Sequence, residues 1–129
     1  MRIAVCEDDA FCRAQLEDVL AEYSRHNVHQ SIAFSVYGHA EDLLEAAQRK
    51  DGFDIYLLDV IMPDMSGIAL GRQLREAGHD GKIIYLTVST EYAIDAFSVQ
   101  AFNYLVKPIQ PQRLMEVLDQ AVNAPLSYR

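Results

Sequence analysis

Short apolar runs alternate along this chain with longer stretches in which apolar residues return every three or four positions. Arg2-Ile-Ala-Val-Cys6 is the first run, and beyond Glu7-Asp8-Asp9 the residues Phe11, Cys12, Leu16, Val19, Leu20 and Tyr23 recur at helical spacing. This predicts strand, acidic turn and helix, with Asp9 as the helix N-cap. Ser31-Ile-Ala-Phe-Ser-Val36 predicts a second strand broken by Gly38, and Ala40, Leu43, Leu44 and Ala47 form the stripe of a second helix that Gly52 closes. Asp54-Ile-Tyr-Leu-Leu-Asp59 is a third strand. Its apolar run is bounded by Gly52 and Pro63, so it reads as buried on both faces and delivers Asp59 to the mouth of a sheet.

Ser66 can cap a third helix whose inward face is Leu70, Gly71 and Leu74, with Gly78 and Gly81 ending it. Lys82-Ile-Ile-Tyr-Leu-Thr87 is the fourth strand. Ser89 or Thr90 followed by Glu91 then begins a weakly amphipathic helix with Ala93, Ala96 and Phe97 on one side. Asn103-Tyr-Leu-Val106 is a short fifth strand running into Lys107-Pro108. Pro111 suits the first position of a last helix bearing Leu114, Met115, Leu118, Ala121 and Val122, which Pro125 stops.

Five strands alternating with five helices ask for a parallel sheet covered on both faces by right-handed crossovers. The predicted class is therefore α/β, a flavodoxin-like doubly wound (βα)5 fold with a five-stranded parallel sheet in the order 2-1-3-4-5. In such sheets ligands sit at the carboxyl ends of the strands, around the switch point between the first and the third.

Composition narrows the partners. The 129 residues fit one domain, and a net charge of -8 opposes gripping a nucleic-acid backbone while suiting a cation or a basic surface. With two cysteines, Cys6 and Cys12, no disulfide framework is expected, which fits a reduced, cytoplasmic setting. No apolar run approaches a membrane span, and none resembles a signal peptide. His26, His29, His39 and His79 lack metal-ligand spacing and read as solvated surface positions. Cys6 reads as a small core residue beneath the sheet mouth.

In the order 2-1-3-4-5, Glu7 and Asp8 end the first strand, Asp59 the third and Thr87 the fourth, while Lys107 follows the fifth. Three carboxylates, a hydroxyl and an ammonium thus converge on one edge. Clustered carboxylates raise one another's pKa unless a cation compensates them, and an oxygen-rich site suits Mg²⁺. The set resembles a phosphoryl-transfer site in which a carboxylate attacks in line. Taken singly, each residue has a plainer reading: Asp59 as a turn residue, Thr87 as a cap neighbour, Lys107 as a solvated lysine, Tyr104 as packing, Asp64 as a turn former.

Glu7-Asp8-Asp9, Asp59-Val-Ile-Met-Pro-Asp-Met-Ser-Gly67, Leu86-Thr87 and Tyr104-Leu-Val-Lys107-Pro108 resemble, in order, the receiver domain of two-component response regulators over essentially the whole chain. The resemblance implies that Asp59 accepts a phosphoryl group from a sensor histidine kinase, with Asp8 and Asp59 ligating Mg²⁺ directly and Glu7 through water. It implies that the backbone carbonyl of Ile61 is a further ligand, that Lys107 pairs with phosphoryl oxygens, and that Lys107-Pro108 is cis. Thr87 and Tyr104 would be the switch pair, the hydroxyl moving toward the aspartyl phosphate and the ring rotating inward. Such a domain is no enzyme in the ordinary sense, since it catalyses only its own phosphorylation and dephosphorylation.

Glu91 to Pro108 is similar to receivers of LytTR-type transcriptional regulators. That similarity implies a receiver over residues 1–123, a linker or tail from 124 to 129, and contact with DNA only through a LytTR-type domain beyond this chain. A stand-alone receiver acting through protein–protein contacts is the alternative. Tyr92 and Phe97, read as exposed aromatics, suggest a homodimer through the fourth helix, fifth strand and fifth helix. Two positions depart from the commonest receiver pattern: Glu7 replaces Asp, and Val88 follows Thr87 where a smaller residue is more frequent, which bears on the use of small-molecule phosphodonors.

Three other functions fit these residues less well. An aspartyl-phosphate hydrolase or phosphotransferase would want an acid two residues beyond Asp59, where Ile61 stands. A flavodoxin-like carrier would not place Glu-Asp-Asp where a phosphate binds. A degenerate receiver would not keep Asp8, Asp59, Thr87 and Lys107 together.

Overall fold

A computed structural model of the chain describes residues 1–124; the expected stop at Pro125 and most of the expected tail lie outside the described residues. Five strands, β1 (Arg2–Cys6), β2 (Ala33–Tyr37), β3 (Ile55–Leu58), β4 (Lys82–Thr87) and β5 (Asn103–Val106), form one parallel sheet in the order β2-β1-β3-β4-β5. The helices between and after them are α1 (Ala10–His26), α2 (Ala40–Arg49), α3 (Gly67–Glu76), α4 (Ala93–Ser98) and α5 (Pro111–Asn123). The predicted order holds.

Side-chain alternation along the strands splits the core into two layers. Ile3, Val5, Ile55, Leu57, Ile84 and Leu86 face Leu16, Leu20, Leu114, Val117 and Leu118 of α1 and α5. Ala4, Cys6, Tyr56, Leu58, Ile83 and Tyr85 face α2, α3 and α4 through Leu43, Ala46, Leu70, Leu74 and Ala96. β3 and β4 are buried at every position, as the apolar runs over residues 55–58 and 83–86 require, and the polar ends of β4, Lys82 and Thr87, are buried with them. Each large aliphatic side chain buried in this way contributes about 1.5–3 kcal/mol relative to exposure.

The caps follow the sequence. Asp9 accepts from the Cys12 amide at 2.9 Å, Ser66 accepts from the Ala69 amide at 3.1 Å, and Pro111 opens α5.

Several boundaries differ from expectation. The second strand begins at Ala33 and runs to Tyr37, because the segment before it forms a 3₁₀ turn over Val28–Gln30 and Ser31 takes a left-handed conformation with φ 50°. Register with β1 then starts at Arg2↔Ala33, and the chain's first amino group bonds the Ser31 carbonyl at 3.2 Å. Ser89 does not open α4: its hydroxyl accepts from the Glu91 amide at 3.0 Å in a separate turn, and the helix starts at Ala93. With only six residues, α4 buries Ala96 alone, so Phe97 stays 84% exposed and does not share a face with it. Tyr92 is half-buried against the core and is no exposed aromatic. Phe11, in the first turn of α1, is exposed like Phe97.

Among the histidines, His26, His29 and His39 are exposed as expected, whereas His79 is half-buried with Nε2 enclosed and unpartnered. Cys6 and Cys12 are free thiols. No helix among the described residues is long and apolar enough to cross a membrane.

Candidate functional site

Parallel register brings the strand ends level. Cys6 lies beside Leu58, so Glu7 and Asp59 step out together, and the Asp59 amide donates to the Cys6 carbonyl at 3.0 Å. Thr87 lies beside Val106, and the Lys107 amide donates to the Thr87 carbonyl at 2.7 Å. Glu7, Asp8 and Asp59 each present a carboxylate oxygen, all within 4.8 Å of one another. Glu7 is 1% and Asp59 7% exposed, while Asp8 is open to solvent.

Lys107 reaches in from β5. Its Nζ lies 2.5 Å from Glu7 Oε1 and 3.1 Å from Asp59 Oδ2. Burial raises the Glu7 carboxyl above its usual pKa, and the neighbouring Asp59 charge adds to the rise, although Lys107 opposes both. Burial would lower the Lys107 ammonium, but hydrogen bonds to Glu7 and Asp59 outweigh it and hold the pKa above the ordinary lysine value. One ammonium is thus fixed between two carboxylates that it cannot both neutralise.

With the acids ionised, three carboxylates face the one ammonium that contacts them among the described residues, so negative charge is in excess. That excess, with an all-oxygen donor set, fits a hard divalent cation. A second observation points the same way: Thr87 is fully buried and its Oγ1 has no hydrogen-bond partner. A buried hydroxyl without a partner is costly, so it marks a place where an incoming polar group would be satisfied.

The Tyr104 hydroxyl donates to the Ser89 carbonyl, in the loop after Thr87, and its ring lies 6.4 Å from that of Tyr85. Ile61 donates its amide to Asp59 Oδ1 at 3.1 Å, which fixes the carboxylate, and its side chain is 47% exposed. The Lys107-Pro108 peptide is cis, as the resemblance implied. Asp64 stands outside the acid cluster and pairs with His39 at 3.3 Å on the surface.

Two contributors were not read from the sequence. Arg13 donates through Nη1 to the carbonyls of Glu7 at 2.8 Å and Asp8 at 3.0 Å, bracing the acidic turn. Its only sequence signal was a cation one turn into an otherwise polar face. Beside the site, an open, mostly apolar groove of about 630 Å³ runs between α1 and the start of α5, lined by Phe11, Leu16, Val19, Val88, Ile109 and Leu114. Phe11 and Val88 are strongly exposed, which the helical pattern alone did not foretell.

The chain is 30% identical over 121 residues to the positive alginate biosynthesis regulatory protein of Pseudomonas aeruginosa, covering 94% of this chain and 47% of that one. It is 25% identical over 120 residues to the transcriptional regulatory protein YpdB of Escherichia coli, covering 93% and 47%. A sensory transduction protein LytR of Staphylococcus haemolyticus matches at 28% over 125 residues, 95% of this chain and 44% of that one. The chain spans about half the length of the curated relatives it matches.

Among solved structures, the response regulator TrrA from Thermotoga maritima in complex with Mg(2+)-BeF is similar at 28% identity and a TM-score of 0.76, covering 93% of this chain and 97% of that one. The response regulatory domain of mrkE from Klebsiella pneumoniae shares the fold with a TM-score of 0.82, at 24% identity and 95% coverage of both. Residues 3–119 match the family described as the response regulator receiver domain. With that match spanning nearly every element that builds the acid cluster, the chain belongs to the response regulator receiver domain family, a regulatory module of two-component systems rather than a classical enzyme.

Proposed function

We propose that Asp59 accepts a phosphoryl group from a sensor histidine kinase with Mg²⁺ and that the added charge switches an output surface. The observation that carries this reading is the Lys107 ammonium held between Glu7 and Asp59 beside the unpartnered hydroxyl of Thr87. Asp8 and Asp59 would hold the cation directly, Glu7 through water, and the Ile61 carbonyl would complete the protein ligands. The bound cation supplies charge neutralisation for the transferring group.

The chain's own residues do the rest. An Asp59 carboxylate oxygen forms a bond to phosphorus as the phosphorus–nitrogen bond of the kinase phosphohistidine breaks, and the electron pair returns to the imidazole. Lys107 exchanges a carboxylate contact for the phosphoryl oxygens, and Thr87 gains the acceptor it lacks. Its movement would free space beside β5 for the Tyr104 ring, whose hydroxyl already bonds the Ser89 carbonyl in the loop after β4. A local charge gain thus biases a two-state element.

Residues 1–123 would constitute the receiver and the residues from 124 the start of a linker. Transcriptional output through a LytTR-type DNA-binding domain is supported by the LytR likeness and by relatives about twice this length. A stand-alone receiver is the second reading. Homodimerisation through the α4–β5–α5 face is supported by Ile94 and Phe97 of α4, each 84% exposed, and by Val106 of β5 at 44%. The setting is cytoplasmic.

The deciding experiment is phosphotransfer from a cognate phosphorylated kinase in the presence of Mg²⁺. Incorporation is expected in the wild type and absent in Asp59→Asn; full incorporation in Asp59→Asn would overturn the reading.

A further inference from the structure

We propose that Tyr85 is a positioning residue whose hydroxyl holds the β3–α3 loop in place for cation binding at Asp59. This rests on the proposed Mg²⁺ site.

Tyr85 is fully buried on β4, and its hydroxyl donates to the Gly67 carbonyl at 2.7 Å. Gly67 is the first residue of α3, and a carbonyl there already has a helical donor four residues on. The bond is therefore not needed to satisfy the backbone. A phenylalanine would fill nearly the same volume without burying a hydroxyl, which costs free energy unless a partner is supplied. Gly71 supplies the space: a Cβ there would lie 2.3 Å from the Tyr85 oxygen. The absence of a side chain at Gly71 is thus what makes room for the hydroxyl.

Its grip acts on the site. Gly67 is seated against Asp59 so closely that a Cβ would fall 2.0 Å from the Asp59 carbonyl oxygen, and its amide donates to the Val60 carbonyl at 2.8 Å. These contacts close the neck of the loop from 61 to 66. The loop itself is mostly exposed at Ile61, Pro63, Asp64 and Ser66, so its position depends on that neck. Tyr85 holds the neck from β4, where it lies in register between Leu58, the residue before Asp59, and Tyr104.

The fold contains a matched control. Tyr56 is also fully buried, and its hydroxyl accepts from the Phe53 amide at 2.9 Å, at the opposite end of the sheet.

Mg²⁺ affinity is measured by calorimetry on the wild type, Tyr85→Phe and Tyr56→Phe, with amide hydrogen exchange recorded on the metal-free proteins. Tyr85→Phe is expected to weaken Mg²⁺ binding by about three- to tenfold, the scale of one net hydrogen bond, and to speed exchange at the Ile61 and Gly67 amides. Tyr56→Phe is expected to lower stability while leaving both readouts at wild-type values. Unchanged affinity and loop exchange in Tyr85→Phe overturn the inference, as does an equal loss in Tyr56→Phe. Faster loop exchange in Tyr85→Phe with no Mg²⁺ binding by the wild type leaves the tie in place and overturns the metal reading instead.

Discussion

The ammonium of Lys107 lies 2.5 Å from a carboxylate oxygen of Glu7, a residue 1% exposed and 100 positions away in sequence. The same ammonium lies 3.1 Å from Asp59 Oδ2, so the buried Glu7 carboxylate shares its one direct cation with a second acid. Removing one partner of a buried pair strands the other, which typically costs about 3–5 kcal/mol. Lys107→Met is expected to lose about that much near neutral pH, and Lys107→Met combined with Glu7→Gln to lose clearly less. Urea unfolding of the three proteins measures both.

The same pair sets a pH dependence in the metal-free protein. The Glu7 pKa is raised above its ordinary 4.5 on folding, chiefly by burial, so between the ordinary and the raised value the folded state binds more protons there than the unfolded chain does. Stability from this group therefore falls as pH rises from about 4.5 through the raised value. Glu7→Gln removes that loss: measured by unfolding from pH 4.5 to 8, its stability relative to wild type is expected to improve with rising pH. A constant difference would contradict the sign.

Cation binding should stabilise the fold by mass action. At a Mg²⁺ concentration one hundred times its dissociation constant, the gain is about 2.7 kcal/mol. Asp8→Asn, which alters the exposed acid of the proposed cation site, is expected to abolish most of the Mg²⁺-dependent rise in melting temperature with little change in its absence.

Gly71→Ala tests the hydroxyl niche independently. In a helix interior the substitution alone favours folding by about 1 kcal/mol, but here the added methyl meets the Tyr85 oxygen at 2.3 Å. It is expected to destabilise the wild type by about 1–3 kcal/mol and to become neutral or stabilising in Tyr85→Phe, a coupling that a double-mutant cycle reads directly.

Ile94→Asp with Phe97→Asp is expected to leave folding within about 0.5 kcal/mol, since both side chains are exposed. Light scattering after addition of a phosphoryl mimic should then report a monomer where the wild type gains mass.

Val88 is 67% exposed and lines the groove beside Lys107. Val88→Ala is expected to speed phosphorylation by a small-molecule phosphodonor relative to wild type, with phosphotransfer from the kinase less affected.

Read alone, the sequence determined the alternation of strands and helices, the order of the sheet, the strand-end placement of Glu7, Asp8, Asp59, Thr87 and Lys107, and the caps at Asp9 and Ser66. Each of these follows from a local period or from the residue at which a period stops, and parallel pairing brings the stops to one edge. Boundaries slipped where local signals competed, as at Ser31, whose left-handed backbone delays β2, and at Ser89, whose hydroxyl closes a turn ahead of α4. Tertiary structure alone decided which polar groups find partners and which apolar ones are left uncovered. Tyr85 reads in sequence as one more core residue of β4, and only the packing of α3 across it reveals a hydroxyl aimed at Gly67. Tyr92 and Phe97 read alike in sequence as exposed aromatics, yet only Phe97 is left open while Tyr92 packs against the core. Contacts between elements distant in the chain settle such matters, because burial and hydrogen bonding depend on what lies opposite a side chain and no local period records that.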